Sequence, residues 1–174
     1  MVKNTNPKTT TISETELFER LKRYIDDHPS GAVAALMKIK EQLSTVSPRS
    51  DQPVDHVRWI PLDQVAANDY NPNSVASKEM QLLVTSINHD GYTQPVVTIY
   101  DEVQGKYIIV DGHHRYYCMV ANDEIRDATD GLLPVVVIDK PINDRMASTV
   151  RHNRARGKHN INGMSQMVFT LLDN

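Results

Sequence analysis

Apolar residues recur at helical spacing twice near the start of the chain, and the period then changes. Residues 1–12 are polar, with three consecutive threonines, and read as a disordered tail. Ser13 and Glu16 have capping-box spacing, and Leu17, Phe18, Leu21, Tyr24 and Ile25 follow at helical intervals. His28-Pro29-Ser30-Gly31 breaks that helix, and Val33, Leu36, Met37, Leu43 and Val46 mark a second. Residues 13–46 therefore read as a helical hairpin whose apolar stripe needs a cover, from the main domain or from another protein. Residues 47–53 have the composition of a linker.

A main domain is expected over 54–174. "VRWIPLDQV" suggests one short strand, and "NDYNPNS" a turn-rich loop with Pro72 behind Asn71. Ser77 can cap a helix carrying Met80, Leu83, Val84 and Ile87, which Gly91 stops. "QPVVTIY" and "KYIIV" alternate as strands joined through "DEVQG" in a hairpin. A helix from His113 to Ala121, the strand "LPVVVI", a basic helix from Asn143 to Arg154 and a last helix from Gly163 complete the pattern. Such alternation predicts an α/β (α+β) class: a small mixed sheet with flanking helices, preceded by the hairpin. No internal repeat is present.

Length and composition narrow this picture. With 174 residues, 40% hydrophobic and 24% charged, the chain suits one soluble domain with an appendage. No apolar run reaches the roughly 18 to 20 residues needed to cross a bilayer, and the N-terminal stretch lacks the apolar core of a signal peptide. Cys118 is the single cysteine, which fits a reducing compartment and reads as a small buried hydrophobe. A cytoplasmic location with no membrane partner is expected. The net charge of −3 offers no general field for nucleic acid. The stretch 145–158 nevertheless holds four arginines and one lysine without an acid, so any polyanion role must be local.

The chemistry concentrates in "IIVDGHHRYYC", residues 108–118. A helix N-terminus leaves about four amide donors unpaired and carries partial positive charge. Gly112 lets a ligand approach the backbone, and His113, His114 and Arg115 add nitrogen donors, so the junction reads as a phosphate cradle. Asp111 would repel an anion, and makes sense if it binds Mg²⁺ or accepts a hydroxyl proton. The plainer alternative has Asp111 capping the helix, the histidines solvated, and Arg115 paired with a carboxylate; on either reading His113 and His114 are expected from their intrinsic pKa to titrate near neutral pH. Zinc fits less well, since adjacent helical residues diverge by about 100°.

A second basic stretch, "TVRHNRARGKHN", places Arg151 and Arg154 on one helical face, with Arg156 beyond. An anion would offset their mutual repulsion, and a solvated basic helix is the alternative; nucleotide phosphate and nucleic-acid backbone are the candidate anions. Glu79 sits in the first turn of its helix, where complementing the helix dipole is explanation enough.

The order of these elements resembles the ParB/sulfiredoxin superfamily. Gly91, Gln94 and Pro95 match its "G-x-x-QP" turn, Gly112 and Arg115 its "G-x-x-R" junction, and Asn153 and Arg156 its "E-N-x-x-R" helix. The resemblance spans about residues 54–172 and implies binding of a nucleoside di- or triphosphate (CTP, ATP or ADP) with Mg²⁺. By that likeness Gln94, Gly112, Arg115 and Arg156 would serve the nucleotide and its phosphates, and Asn153 the metal; His113, His114, Arg151 and Arg154 beside them would add further phosphate contacts. His152 stands where partition proteins have a Glu that supports hydrolysis. "DGHHR" is similar to the element of free-serine kinases, in which Asp111 and His114 would be catalytic and Glu79 the assisting carboxylate. "AANDYNPN", "GYTQPVVT", "VDGHHR" and "RHNRARG" together look like IbrB-type proteins, co-activators of prophage gene expression. Those act with a companion similar to the phosphoadenosine-phosphosulfate (PAPS) reductase family, which implies a partner protein; a homodimer is also open.

Three functions follow. The favoured one is a nucleotide-binding ParB-like regulatory protein, a transcriptional co-activator whose nucleotide state biases an interaction with a partner or with DNA. The second is a small-molecule kinase, which leaves open whether the chain is an enzyme, as a phosphotransferase or NTPase. The third is a DNA-binding factor or nuclease, disfavoured by net charge and by the lack of an evident recognition helix, although a DNA-reading segment could follow the last helix.

Overall fold

The computed structural model describes residues 12–67 and 77–138. The expected tail, the Asn68–Ser74 loop, the basic helix and the last helix fall outside the described residues, apart from Ile12. The chain forms two compact units that divide between Leu43 and Ser44.

The first unit carries α1 (Glu14–Asp26) and most of α2 (Ala32–Val46), separated by a 3-10 turn at Pro29–Gly31. Ser13 Oγ accepts from the Glu16 amide at 3.2 Å, which is the cap the sequence pattern indicates. No residue of α1 is buried, and Ala35 is the buried residue of α2.

In the second unit the stretch of linker composition is folded into successive turns. Ser47 Oγ accepts from the Arg49 amide at 3.1 Å, the Gln52 amide donates to Arg49 O at 2.8 Å, and a 3-10 turn covers Pro53–Asp55. Serine acceptors and a proline at the first turn position favour this geometry. The segment expected as one strand is two. β1 (Arg58–Pro61) and β2 (Val65–Ala66) are separated by a 3-10 turn at Leu62–Gln64. Pro61 has no amide to extend a ladder, and the two pieces go to opposite edges of the sheet.

α3 (Ser77–Asp90) ends at Gly91, which takes a φ of +72°. β3 (Val96–Asp101) and β4 (Lys106–Asp111) form the expected antiparallel hairpin. Its turn is fastened by Asp101 Oδ1, which accepts from the amides of Val103 and Gln104 at 2.9 and 3.2 Å. α4 (His113–Ala121) matches expectation. α5 (Asp123–Ala128) was not expected: Asn122 caps it, with Oδ1 accepting from the Ile125 amide at 3.1 Å. β5 (Leu132–Val137) completes a five-stranded sheet of order β1-β5-β3-β4-β2. β3 pairs β5 in parallel and β4 antiparallel, so the sheet is mixed, as the alternation of elements predicts. Among the described residues no helix is long and apolar enough to cross a membrane.

The core joins Val96, Ile109, Leu133 and Val135 of the central strands to Ile87 of α3, Cys118 and Met119 of α4 and Ile125 of α5. Cys118 is the small buried hydrophobe its surroundings suggested, with Sγ 3.8 Å from Met80 Sδ. Thr98 is polar and fully buried, and its hydroxyl donates to Val136 O at 3.1 Å, so no donor is stranded. Truncating Ile109, wholly buried at the centre of the sheet, to Ala should lower unfolding free energy by about 2 to 4 kcal/mol in a urea titration. The same change at Val103, 96% exposed at the hairpin turn, should stay within about 0.5 kcal/mol.

Candidate functional site: the corner at the end of strand β4

The sheet brings β4 to its end with Ile109, Val110 and Asp111 all buried, and the chain turns directly into α4. One residue makes this junction. Gly112 has a φ of +93°, a left-handed conformation that residues with a Cβ adopt only under strain. The Tyr116 amide then donates to Gly112 O at 3.2 Å, closing the first helical turn.

The side chain of Arg115 folds back over this glycine. A Cβ on Gly112 would lie 2.9 Å from Arg115 Nη2 and 3.2 Å from Nε, so the guanidinium fills the space that a side chain would need. Arg115 Nη1 donates to Gln94 Oε1 at 3.2 Å, and Nη2 stands 3.8 Å from Asp111 Oδ2. The Tyr92 hydroxyl donates to Arg115 O at 3.1 Å. Asp111 and Arg115 are both buried. The "G-x-x-QP" turn and the "DGHHR" junction, 21 residues apart at the Gln94–Arg115 bond, thus meet at one point.

The electrostatics explain Asp111. A cation in the first turn of a helix opposes the helix dipole, and a buried guanidinium needs a counter-charge. Asp111 supplies it, which matches the carboxylate pairing considered for Arg115. The rest of that plainer alternative needs correcting. Gly112 holds the cap position and has no side chain to cap with, and His113 is buried rather than solvated, 5% exposed. Burial pushes the His113 imidazole down to about 4, the nearby His114 adds to this, and Asp111 opposes it. His113 is therefore neutral at pH 7 and resists protonation well below the near-neutral range expected for it. Its Nε2 is buried without a hydrogen-bond partner among the described residues. His114 is half-buried. Burial also pushes the Cys118 thiol up, away from the thiolate that a nucleophile requires.

The structure joins Asp111, Gly112, Arg115 and Gln94, with His113 and His114 in the same helical turn. Glu79 is exposed in the first turn of α3, at the opposite end of that helix from Gly91. Arg151, Asn153, Arg154 and Arg156 lie outside the described residues. Among the described residues no group of three or more His, Cys, Asp and Glu is placed to hold a metal. Sequence reasoning missed Tyr92. Its signal was an aromatic between the helix-ending Gly91 and Gln94, and burial, the largest cause, pushes its hydroxyl above the usual tyrosine range.

Fold and corner define a small α/β domain with a glycine-opened helix at the end of a central strand. The chain belongs to the ParB N-terminal domain family, whose profile matches residues 47–150. It is 41% identical over 139 residues to "Uncharacterized protein YbdM" of Escherichia coli (strain K12), covering 80% of this chain and 66% of that protein. Two similar structures are of the chromosome-partitioning protein ParB from Caulobacter crescentus, C-terminally truncated. One is complexed with CTP-gamma-S (TM-score 0.46, 19% identity, 59% of this chain and 54% of that one). The other is complexed to the centromeric parS site (TM-score 0.46, 17% identity, 66% and 56%). A third is SbnI with C-terminal truncation from Staphylococcus aureus (TM-score 0.38, 19% identity, 52% and 33%). These structures are too distant to assign a ligand, and the chain spans at most two thirds of the length of each relative named.

The state of His113 has a measurable consequence. The unfolded chain takes a proton at this residue near pH 6.5, while the fold resists it down to about 4. The stabilising contribution is complete above 6.5 and is lost as pH falls through that window, at up to about 1.4 kcal/mol per pH unit. A His113→Gln variant should show a shallower decline of urea midpoint over the same range, and an unchanged decline would contradict a neutral His113.

Proposed function

We propose that this chain is a nucleotide-binding regulatory module that receives phosphate at the corner from Gly112 to Arg115. In this reading it acts in gene regulation as a co-activator alongside a partner protein. The observation that carries the reading is the Arg115 guanidinium lying against Gly112 at the N-terminus of α4, where a Cβ would collide. Glycine at that point permits the close approach, and an arginine in place beside helix-terminal amides is the arrangement that binds phosphoryl oxygens. Membership of the ParB N-terminal domain family supports it.

Each residue then has a role. Gln94 and Asp111 hold Arg115 in orientation, and Tyr92 ties the same residue's backbone to the turn after α3. His113, kept neutral by burial, offers a ring nitrogen that has no hydrogen-bond partner among the described residues. Arg151, Arg154 and Arg156 would add phosphate contacts. Mg²⁺ suits the hard oxygen of Asp111 and that of Asn153, and would neutralise phosphate charge that Asp111 otherwise opposes.

A second reading, phosphoryl transfer to a small hydroxyl-bearing substrate, is favoured by the buried Asp111 carboxylate at the corner. Asp111 would take the hydroxyl proton while His114 and Arg115 hold the transferred group and Glu79 assists. Incubation with ATP, ADP or CTP and Mg²⁺, with and without free serine, followed by phosphorus NMR, separates the two. Saturable binding without new phosphorus signals is expected, and serine-dependent product would promote the second reading. Arg115→Ala should weaken nucleotide binding about tenfold or more, since charge-assisted bonds contribute roughly 1.5 to 3 kcal/mol each. Unchanged affinity in calorimetric titration would remove the basis of both.

A further inference from the structure

The turns that lead into β1 enclose a polar cavity of about 210 Å³ at the edge of the sheet. Ser44 at the end of α2, Ser50 and Gln52 of the turns, and Asp55, His56 and Arg58 line it, all within the second unit. Val137, at the end of β5, adds an apolar patch to the lining. The register accounts for this meeting: Arg58 stands opposite Val135 and the strands run antiparallel, so His56 comes opposite Val137. The volume lies below the roughly 300 to 1,000 Å³ of pockets for drug-sized ligands, and it suits a small metabolite.

Arg58 is the unexpected residue. Alternation along β1 puts it on the face of Ile60, which packs against the core, yet the position carries a charge. A stem lying on the sheet with its head in water would account for an arginine at this rim. It does not account for the company. Asp55, three positions earlier, lines the same cavity and is exposed, while Arg58 is half-buried. Among the described residues neither side chain has a hydrogen bond or an ion pair, with the other or with a third group. Opposite charges thus flank one cavity without neutralising each other. A simple anion would gain from the guanidinium and lose to the carboxylate, and a simple cation the reverse. A molecule that carries both signs satisfies both.

The geometry points to a binding site for a small zwitterion, a free α-amino acid, with its carboxylate on Arg58 and its ammonium on Asp55. The hydroxyls of Ser44 and Ser50 and the amide of Gln52 offer hydrogen bonds to the rest of the molecule. The site gives a role to the folded turns between α2 and β1, which form its wall. No residue of the Gly112–Arg115 corner lines this cavity, so the inference stands apart from the phosphate reading.

The test is nitrogen-15 NMR of the full chain, titrated with glycine, L-alanine and L-asparagine, and separately with acetate, methylammonium and inorganic phosphate. Saturable shifts at the amides of Ser50, Gln52 and Arg58 are expected with the amino acids, at dissociation constants of roughly 0.1 to 10 mM. Acetate, methylammonium and phosphate each meet one of the two charges, and should bind at those amides about tenfold more weakly or less. Asp55→Asn and Arg58→Gln should each weaken glycine binding about tenfold or more. Asp55 is exposed, so its variant keeps the fold and carries the test alone if urea titration shows Arg58→Gln to be unfolded. Absence of saturable shifts with every amino acid up to about 50 mM would overturn the inference. So would acetate or phosphate binding at the same amides as tightly as glycine, an Asp55→Asn variant that binds glycine unchanged, or amino-acid shifts confined to the Gly112–Arg115 corner.

Discussion

Burying an arginine is the constraint around which the corner is built. Arg115 is taken out of water, and its guanidinium must find replacements for the hydrogen bonds and the counter-charge it gives up. Asp111 and Gln94 provide them, from the strand before the helix and from the turn after α3. Satisfying one side chain therefore fixes the position of the helix on the sheet and of the Gly91–Pro95 turn beside it. Position 112 is held to glycine by its φ of +93°, which strains any residue with a Cβ, and the guanidinium would have to shift away from such an atom. Glycine, aspartate, arginine and glutamine form one interdependent set.

The same set would reconcile two demands that the proposed phosphate site makes. An arginine offered to an anion must be oriented before the anion arrives, and a mobile one forfeits binding energy in ordering. A carboxylate near an anion is unfavourable unless it serves something else first. Asp111 serves the arginine, and the neutral His113 avoids adding a second buried charge. The first unit of the chain presents the opposite case. There α1 and α2 bury only Ala35 between them, and an apolar groove runs along the pair, lined by Leu17, Leu21, Tyr24, Ile39 and Leu43.

Much of the fold was legible because its signals are local. α1 announced itself through Ser13 and a regular stripe, the β3–β4 hairpin through alternation around a turn, and α4 through its glycine start. α5 escaped notice because six residues with one buried apolar position, Ile125, hold too little periodicity, although Asn122 was a cap signal. The split of β1 from β2 was hidden because Pro61 and the following turn lie inside a run that reads as continuous strand. Strand order was beyond reach, since it depends on pairings between distant segments. Within the corner, the Asp111–Arg115 pair lies at i, i+4 and could be read directly. The Gln94–Arg115 bond spans 21 residues, and only the resemblance of the two motifs to a known superfamily brought them together beforehand. The burial of His113 had no sequence signal, because a histidine opening a helix looks alike whether it faces solvent or the sheet.

The central claim is that a phosphoryl group is received at this corner. Nitrogen-15 NMR of the labelled chain, titrated with CTP, ATP or ADP and Mg²⁺, reads it at the atoms concerned. Saturable shifts at the amides of Gly112 and His113 and at the Nε–H of Arg115, larger than elsewhere in the domain, are the result the account predicts. Saturable binding that leaves those three signals in place while moving others would contradict it.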